Sequence, residues 1–109
     1  MISEKAIEAI ELAINFEHNK ITTDHGEVYA SNHEAYAVLL EEVEEAIEEA
    51  ECMKIWLEAV WKSIRGDQEL NIQVKKIKEH ALDLANEAVQ CAAVCERFIE
   101  TIEREEKKR

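Results

Sequence analysis

The chain has 109 residues, a formal net charge of −12 and a pI near 4.7. This acidity argues against nucleic acid as a partner, because phosphate backbones are bound by clustered Lys and Arg. With 47% hydrophobic residues, no proline and two glycines, the sequence predicts one all-α domain, residues 1–109, that assembles into a homo-oligomeric helical bundle, a dimer or tetramer.

The first predicted element is a short helix over residues 3–18. Ser3 can cap it, and Ile7, Ile10 and Ile14 recur at helical spacing. Acidic residues occupy positions where a signal peptide would be basic or apolar, and no apolar run reaches the roughly 18 residues of a membrane span. We therefore expect a cytoplasmic protein that does not enter a membrane.

A loop is predicted over residues 19–30, because the apolar spacing stops there. Five consecutive residues of this segment are turn and cap formers, namely Thr22, Thr23, Asp24, His25 and Gly26. A loop of about a dozen residues is longer than most connections in compact domains, and such loops often carry function.

The second helix is predicted over residues 31–65. Ser31 and Glu34 form a capping box at its start, and Gly66 suits the left-handed residue after its last turn. Apolar residues recur at steps of three and four along its length and define one apolar face: Tyr36, Leu39, Leu40, Val43, Ala46, Ile47, Ala50, Met53, Leu57, Val60, Trp61 and Ile64. Three glutamates lie roughly opposite this face: Glu41, Glu45 and Glu48.

The third helix is predicted over residues 68–105, with Asp67 as its cap. In its middle, a polar line runs between two apolar faces and consists of His80, Asp83, Glu87 and Gln90. A helix that is apolar on two sides is expected to be buried on two sides, where charged groups need partners or a cation.

The two long helices are predicted to form an antiparallel hairpin that turns near residue 67. Because both helices rise equally per residue, Glu87 should be level with about residue 47 and Gln90 with about residue 44. Carboxylates of the two helices would then converge, and like charges so close cannot all stay ionised without a divalent cation. Oxygen ligands favour Mg²⁺ or Mn²⁺, and the candidate ligands are Glu42, Glu45, Asp83, Glu87 and Gln90.

A simpler interpretation stays open beside the metal site, because an acidic helix face is usually just solvated. His80 fits a hydrogen-bonded polar partner better than a metal ligand. The three cysteines fit small core residues better than zinc ligands, and they are Cys52, Cys91 and Cys95.

Two short motifs carry a resemblance. The block Glu41-Glu42-x-x-Glu45, followed by Glu87-Ala88-Val89-Gln90 on the next helix, resembles the EExxE and ExxD motifs of the MazG-like all-α nucleoside triphosphate pyrophosphohydrolases, particularly small phage-type members. The resemblance covers roughly residues 31–99. Glutamine stands where the second motif has aspartate, and Asp83, one turn before Glu87, is the candidate substitute.

The resemblance implies Mg²⁺-dependent hydrolysis of a nucleoside triphosphate to a monophosphate and pyrophosphate. It implies catalytic roles for Glu41 and Glu45, in a set of carboxylates whose Mg²⁺ ions neutralise the triphosphate and lower the pKa of an attacking water. Lys54, Lys62 and Arg97 are the candidates for contacts with the polyphosphate. The loop over residues 19–30 is the candidate for a base pocket.

Two other functions stay open. The helices could form a non-catalytic assembly or interaction module, such as a phage accessory protein, whose glutamates do no chemistry. A degenerate member of the family could also bind nucleotide or metal without turnover. The glutamine at position 90 and the incomplete second motif favour the non-catalytic module over the enzyme.

Overall fold

The computed structural model describes residues 1–26 and 28–108, so Glu27 of the predicted loop and Arg109 of the C-terminus lie outside the described residues. The described chain folds into three helices: α1 (Glu4–His25), α2 (Asn32–Arg65) and α3 (Asn71–Lys107). The prediction of an all-α fold is therefore confirmed. Within the described residues, no helix combines the length and apolarity that crossing a membrane would require.

The prediction of a loop over residues 19–30 is wrong for residues 19–25, because α1 continues to His25. Residues 26 and 28–30 are outside any helix, as predicted. The hydroxyl groups of Thr22 and Thr23 donate to backbone carbonyl oxygens four residues earlier, at 3.1 and 2.9 Å, and are thus satisfied inside the helix. Gly26 ends α1 with a φ of 89° and a ψ of −179°, a conformation that only glycine adopts readily.

The turn between the long helices differs in detail from the predicted one. α2 ends at Arg65, but the left-handed residue that follows is Asp67, with a φ of 53°, and not Gly66. Two backbone hydrogen bonds across this turn, of 3.2 and 2.8 Å, satisfy carbonyl groups of the last turn of α2, as in a Schellman ending. Asp67 therefore ends one helix instead of capping the next, and α3 begins at Asn71 and not at residue 68.

α2 and α3 pack along each other as an antiparallel hairpin. Near the turn, the Gln73 side-chain amide donates to the Ser63 hydroxyl at 2.9 Å. Further along, Nδ1 of His80 lies 2.7 Å from Oε2 of Glu49. α1 packs against α3 near the other end, and the whole chain measures 65 × 31 × 24 Å.

The core is small and lies at the end of the molecule away from the hairpin turn. Its buried apolar residues within the described chain are Tyr29, Ala35, Ala93 and Val94. The radius of gyration is 18.3 Å, whereas a compact domain of this length has about 13 Å. A single chain thus leaves much of its apolar surface in contact with water.

Thr101 links the connection after α1 to the core. It is fully buried, and its hydroxyl accepts the backbone N–H of Tyr29 at 3.0 Å and donates to the carbonyl oxygen of Arg97 at 2.9 Å. Thr101→Val preserves the shape but removes the acceptor, so we expect the free energy of unfolding to fall by about 1–3 kcal/mol. Urea denaturation measures this loss.

Thr23→Val is the matched control for this prediction, because Thr23 is exposed and its hydroxyl bonds only within α1. A surface change of this kind should alter stability by no more than about 0.5 kcal/mol. An equal effect of the two substitutions would contradict the role given to Thr101.

Candidate metal centre

Three glutamates of the two long helices meet halfway along the hairpin. Glu42 and Glu45 lie one turn apart on α2, and Glu87 of α3 lies across from them. One carboxylate oxygen of each lies within 4.8 Å of the others, and all three side chains are half-buried. The structure thus brings together three of the five predicted ligands, which we call the acidic trio.

The negative charges of the trio repel one another. A hydrogen bond with Glu87, followed by the charge of Glu87, raises the pKa of Glu45. Loss of water, followed by the charge of Glu45, raises the pKa of Glu42, although a hydrogen bond with Glu87 opposes that shift. These carboxyl groups therefore hold protons more tightly than free glutamates do.

Oε2 of Glu87 is the atom that distinguishes the trio from a solvated acidic face. It is buried, and when all three carboxyl groups are ionised it has no hydrogen-bond partner within the described residues. An ionised carboxylate only accepts hydrogen bonds, so a buried oxygen of this kind calls for a proton or a cation. A donor set made only of carboxylate oxygens suits hard ions, and the trio therefore fits Mg²⁺ or Mn²⁺.

A second group of ionisable residues lies one turn nearer to the hairpin turn. It consists of Glu49, His80 and Asp83, which offer ligand atoms within 4.8 Å of one another. Nδ1 of His80 and Oε2 of Glu49 lie 2.7 Å apart, as expected for a histidine that is hydrogen-bonded to a polar partner. Asp83 is exposed and belongs to this second group, so it does not join Glu87 in the trio.

Three other predicted site residues are not members of the trio. The side-chain amide of Gln90 donates to Oε2 of Glu17 at 3.2 Å and so links α3 to α1. Glu41 is exposed on the surface of α2. Lys54 is also exposed and follows Glu45 by two and a half helical turns, so the two side chains leave α2 on opposite sides.

Arg97 ties the end of α1 to α3. Only 3% of it is exposed. Its guanidinium donates to the carbonyl oxygens of Ile21, His25 and Val28 at 3.1, 3.2 and 3.3 Å, and its central carbon lies 4.4 Å from the centre of the Tyr29 ring. Arg97 thus satisfies carbonyl groups that the end of a helix leaves open, and it could bind the phosphates predicted for it only by giving up these bonds.

A cavity of about 580 Å³ opens beside the acidic trio. Glu42 belongs both to the trio and to the wall of the cavity, and Glu34 and Gln90 add polar groups. The rest of the wall is largely apolar and includes Ile21, Val28, Tyr29, Val38 and Val94. Its volume and mixed lining are typical of sites for small organic molecules.

No family model matches this chain, and neither a curated protein nor a solved structure matches it. The chemical possibilities of the site therefore follow from its own geometry. That geometry offers three converging carboxylates and, next to them, a cavity large enough for a nucleoside.

Proposed function

We propose that the protein is a divalent-cation-dependent nucleoside triphosphate pyrophosphohydrolase of the MazG-like kind. The observation that carries the proposal is the acidic trio, in which Oε2 of Glu87 is buried without a donor from the described residues. Glu42 and Glu45 belong to the first motif of the resemblance, and Glu87 opens the second.

In this proposal Glu42, Glu45 and Glu87 hold Mg²⁺ or Mn²⁺ between α2 and α3. When bound, the ion supplies charge neutralisation for the triphosphate and activation of a water molecule. Its presence is essential, because a chain with a net charge of −12 otherwise repels a polyphosphate. The cavity beside Glu42 receives the nucleoside, and its apolar wall excludes water from one side of the substrate.

Gln90 is the departure that the proposal has to accommodate. Its amide nitrogen is engaged by Glu17, so its carbonyl oxygen is the end that can accept or coordinate. A neutral oxygen in place of a carboxylate lowers the negative charge of the site and should weaken cation binding. We therefore propose a lower cation affinity than a complete second motif would give.

The same departure favours a second candidate, a helical module that binds a cation or nucleotide without turnover. Glu41, the other proposed catalytic residue, is exposed, and Gln90 is held by α1. We also propose self-association, as a dimer or tetramer, and a cytoplasmic location for either candidate. The small core of the single chain favours self-association.

The test is the release of pyrophosphate from a panel of nucleoside triphosphates, measured with Mg²⁺, with Mn²⁺ and with a chelator. Cation-dependent release from at least one nucleotide is the expected result. Thermal stabilisation by the cation without release would indicate the non-catalytic binder. If the protein shows neither pyrophosphate release nor stabilisation by a cation, both candidates are contradicted and a purely structural module remains.

A further inference from the structure

α2 carries an apolar stripe that α3 does not cover. In the sequence, this stripe and the residues that pack on α3 form one broad apolar face. The structure distinguishes them: Leu39, Met53 and Val60 are half-buried, whereas the residues of the stripe are exposed. The uncovered stripe has exposed fractions of 38–60% and includes Tyr36, Leu40, Val43, Ile47, Leu57 and Trp61. Ala50 and Lys54 fill the remaining steps, so the spacing alternates strictly between three and four residues.

α3 carries a second stripe with the same spacing. Apart from Lys78, it is built of apolar residues, many of them small, including Val74, Ala81, Ala85, Ala88 and Ile99. Val74 and Ile99 are 50% and 49% exposed. A strict alternation of three and four apolar steps is the pattern of helices that pack knobs into holes in bundles.

The two stripes lie on one side of the hairpin. On each helix, the stripe lies one residue after the positions that contact the other helix. It is therefore rotated by about 100° around the helix axis, in the same sense on both helices. Since the helices run antiparallel, equal turns in one sense bring both stripes to the same side. On α2, Glu45 is rotated from the contact line with α3 in the opposite sense to the stripe. The acidic trio therefore lies on the opposite side of the hairpin.

This face has the size of a stable interface. From Tyr36 to Ile64 it extends for about 42 Å, and two helices are about 20 Å wide, which gives roughly 800 Å² on each copy, the area typical of a specific complex. The face is apolar apart from Lys54 and Lys78, and monomeric proteins rarely expose apolar patches larger than a few hundred Å². The radius of gyration of 18.3 Å and the small core point the same way.

We propose that this face binds the same face of a second copy of the chain, so that two hairpins complete a four-helix bundle. Two neighbouring helices with matching three-four stripes are half of such a bundle, and a two-fold axis supplies the other half. The net charge of −12 disfavours an anionic lipid surface as the occupant. The proposal does not depend on the metal centre, which lies on the opposite side.

Ile47→Glu tests the proposal. The charge would be buried twice in each dimer, so the Kd should rise by about 100-fold or more, as measured by sedimentation over a concentration series in buffer with a chelator. Ile55→Glu is the matched control, because Ile55 is 64% exposed on the same helix but outside the stripe. Its Kd should stay within about threefold of the wild-type value.

Lys54→Leu should change the Kd of the dimer in the opposite direction. It replaces the charged residue of the α2 stripe by an apolar one, so the Kd of the dimer should fall by about tenfold, and sedimentation distinguishes this dimer from larger aggregates. Circular dichroism verifies the helical content of each variant. A monomeric wild type, equal effects of Ile47→Glu and Ile55→Glu, or a Lys54→Leu variant that associates no more tightly would each overturn the proposal.

Discussion

Glu45→Gln is expected to make the protein more stable without a divalent cation and to abolish its stabilisation by one. Without a cation, the ionised trio repels itself, and an amide at position 45 removes one charge and can donate to Glu87. With a cation at about 100 times its Kd, the wild type should gain about 2.7 kcal/mol. The variant should gain less than about 0.5 kcal/mol, and urea denaturation with Mn²⁺ or a chelator measures both effects.

The pH dependence of the wild type follows from the raised pKa values of Glu42 and Glu45. Both groups hold protons more tightly in the folded chain than at their ordinary pKa of 4.5. Between 4.5 and the raised values, the folded state binds more protons than the unfolded state, so stability falls as the pH rises through this range. In cation-free buffer, this fall should be smaller in Glu45→Gln.

Glu44→Gln is the control for these effects, because Glu44 is exposed on the same helix and lies outside the trio. It should respond to Mn²⁺ as the wild type does. An identical response of Glu45→Gln and Glu44→Gln to the cation would show that the trio holds no ion.

Arg97→Lys is expected to cost about 3 kcal/mol or more of the free energy of unfolding. The guanidinium serves three carbonyl groups and the face of the Tyr29 ring at once. A lysine ammonium group is a single point of charge that cannot reach the same fork of acceptors. Buried carbonyl groups left without donors cost about 1–3 kcal/mol each. We expect the end of α1 to detach first, which hydrogen exchange of its last turn would detect.

Arg65→Lys is the matched control, because Arg65 is exposed at the end of α2. It should change stability by no more than about 0.5 kcal/mol. If Arg97→Lys and Arg65→Lys have the same free energy of unfolding and the same hydrogen exchange at the end of α1, the role of Arg97 in holding α1 is contradicted.

The meeting of Glu42, Glu45 and Glu87 could be predicted from the sequence because it depends on two robust features. Antiparallel helices rise equally, so a turn placed near residue 67 fixes which positions are level. Glu42 and Glu45 span one turn of α2, so the small error in the start of α3 did not separate them from Glu87. The prediction for Asp83 was less robust, because a shift of one turn along α3 places it in the group with His80 and Glu49.

The extent of α1 could not be predicted in the same way. Thr22 and Thr23 favour turns in isolation, yet in the structure their hydroxyls bond within the helix. The decisive contacts come from Arg97, 76 residues away from Ile21 in the chain. Such a tertiary contact overrides local propensity and leaves no local signal.

The cavity and the part of α2 that α3 covers also could not be predicted from the sequence, because both depend on tertiary packing. A run of apolar steps along α2 predicts one broad face, but only the position of α3 shows which residues it covers. The cavity combines residues of α1, α2, α3 and the connection after α1, so no single segment indicates it. One signal was available for Arg97: it follows Val94 by three residues and precedes Thr101 by four, so all three lie on one face of α3.

Anomalous diffraction from a crystal soaked in Mn²⁺ is the most direct test of the metal centre. The expected result is a peak among the carboxylates of Glu42, Glu45 and Glu87 that is absent from crystals of Glu45→Gln. A peak only between His80, Glu49 and Asp83, or no peak at a Mn²⁺ concentration that stabilises the protein, would contradict the proposed site.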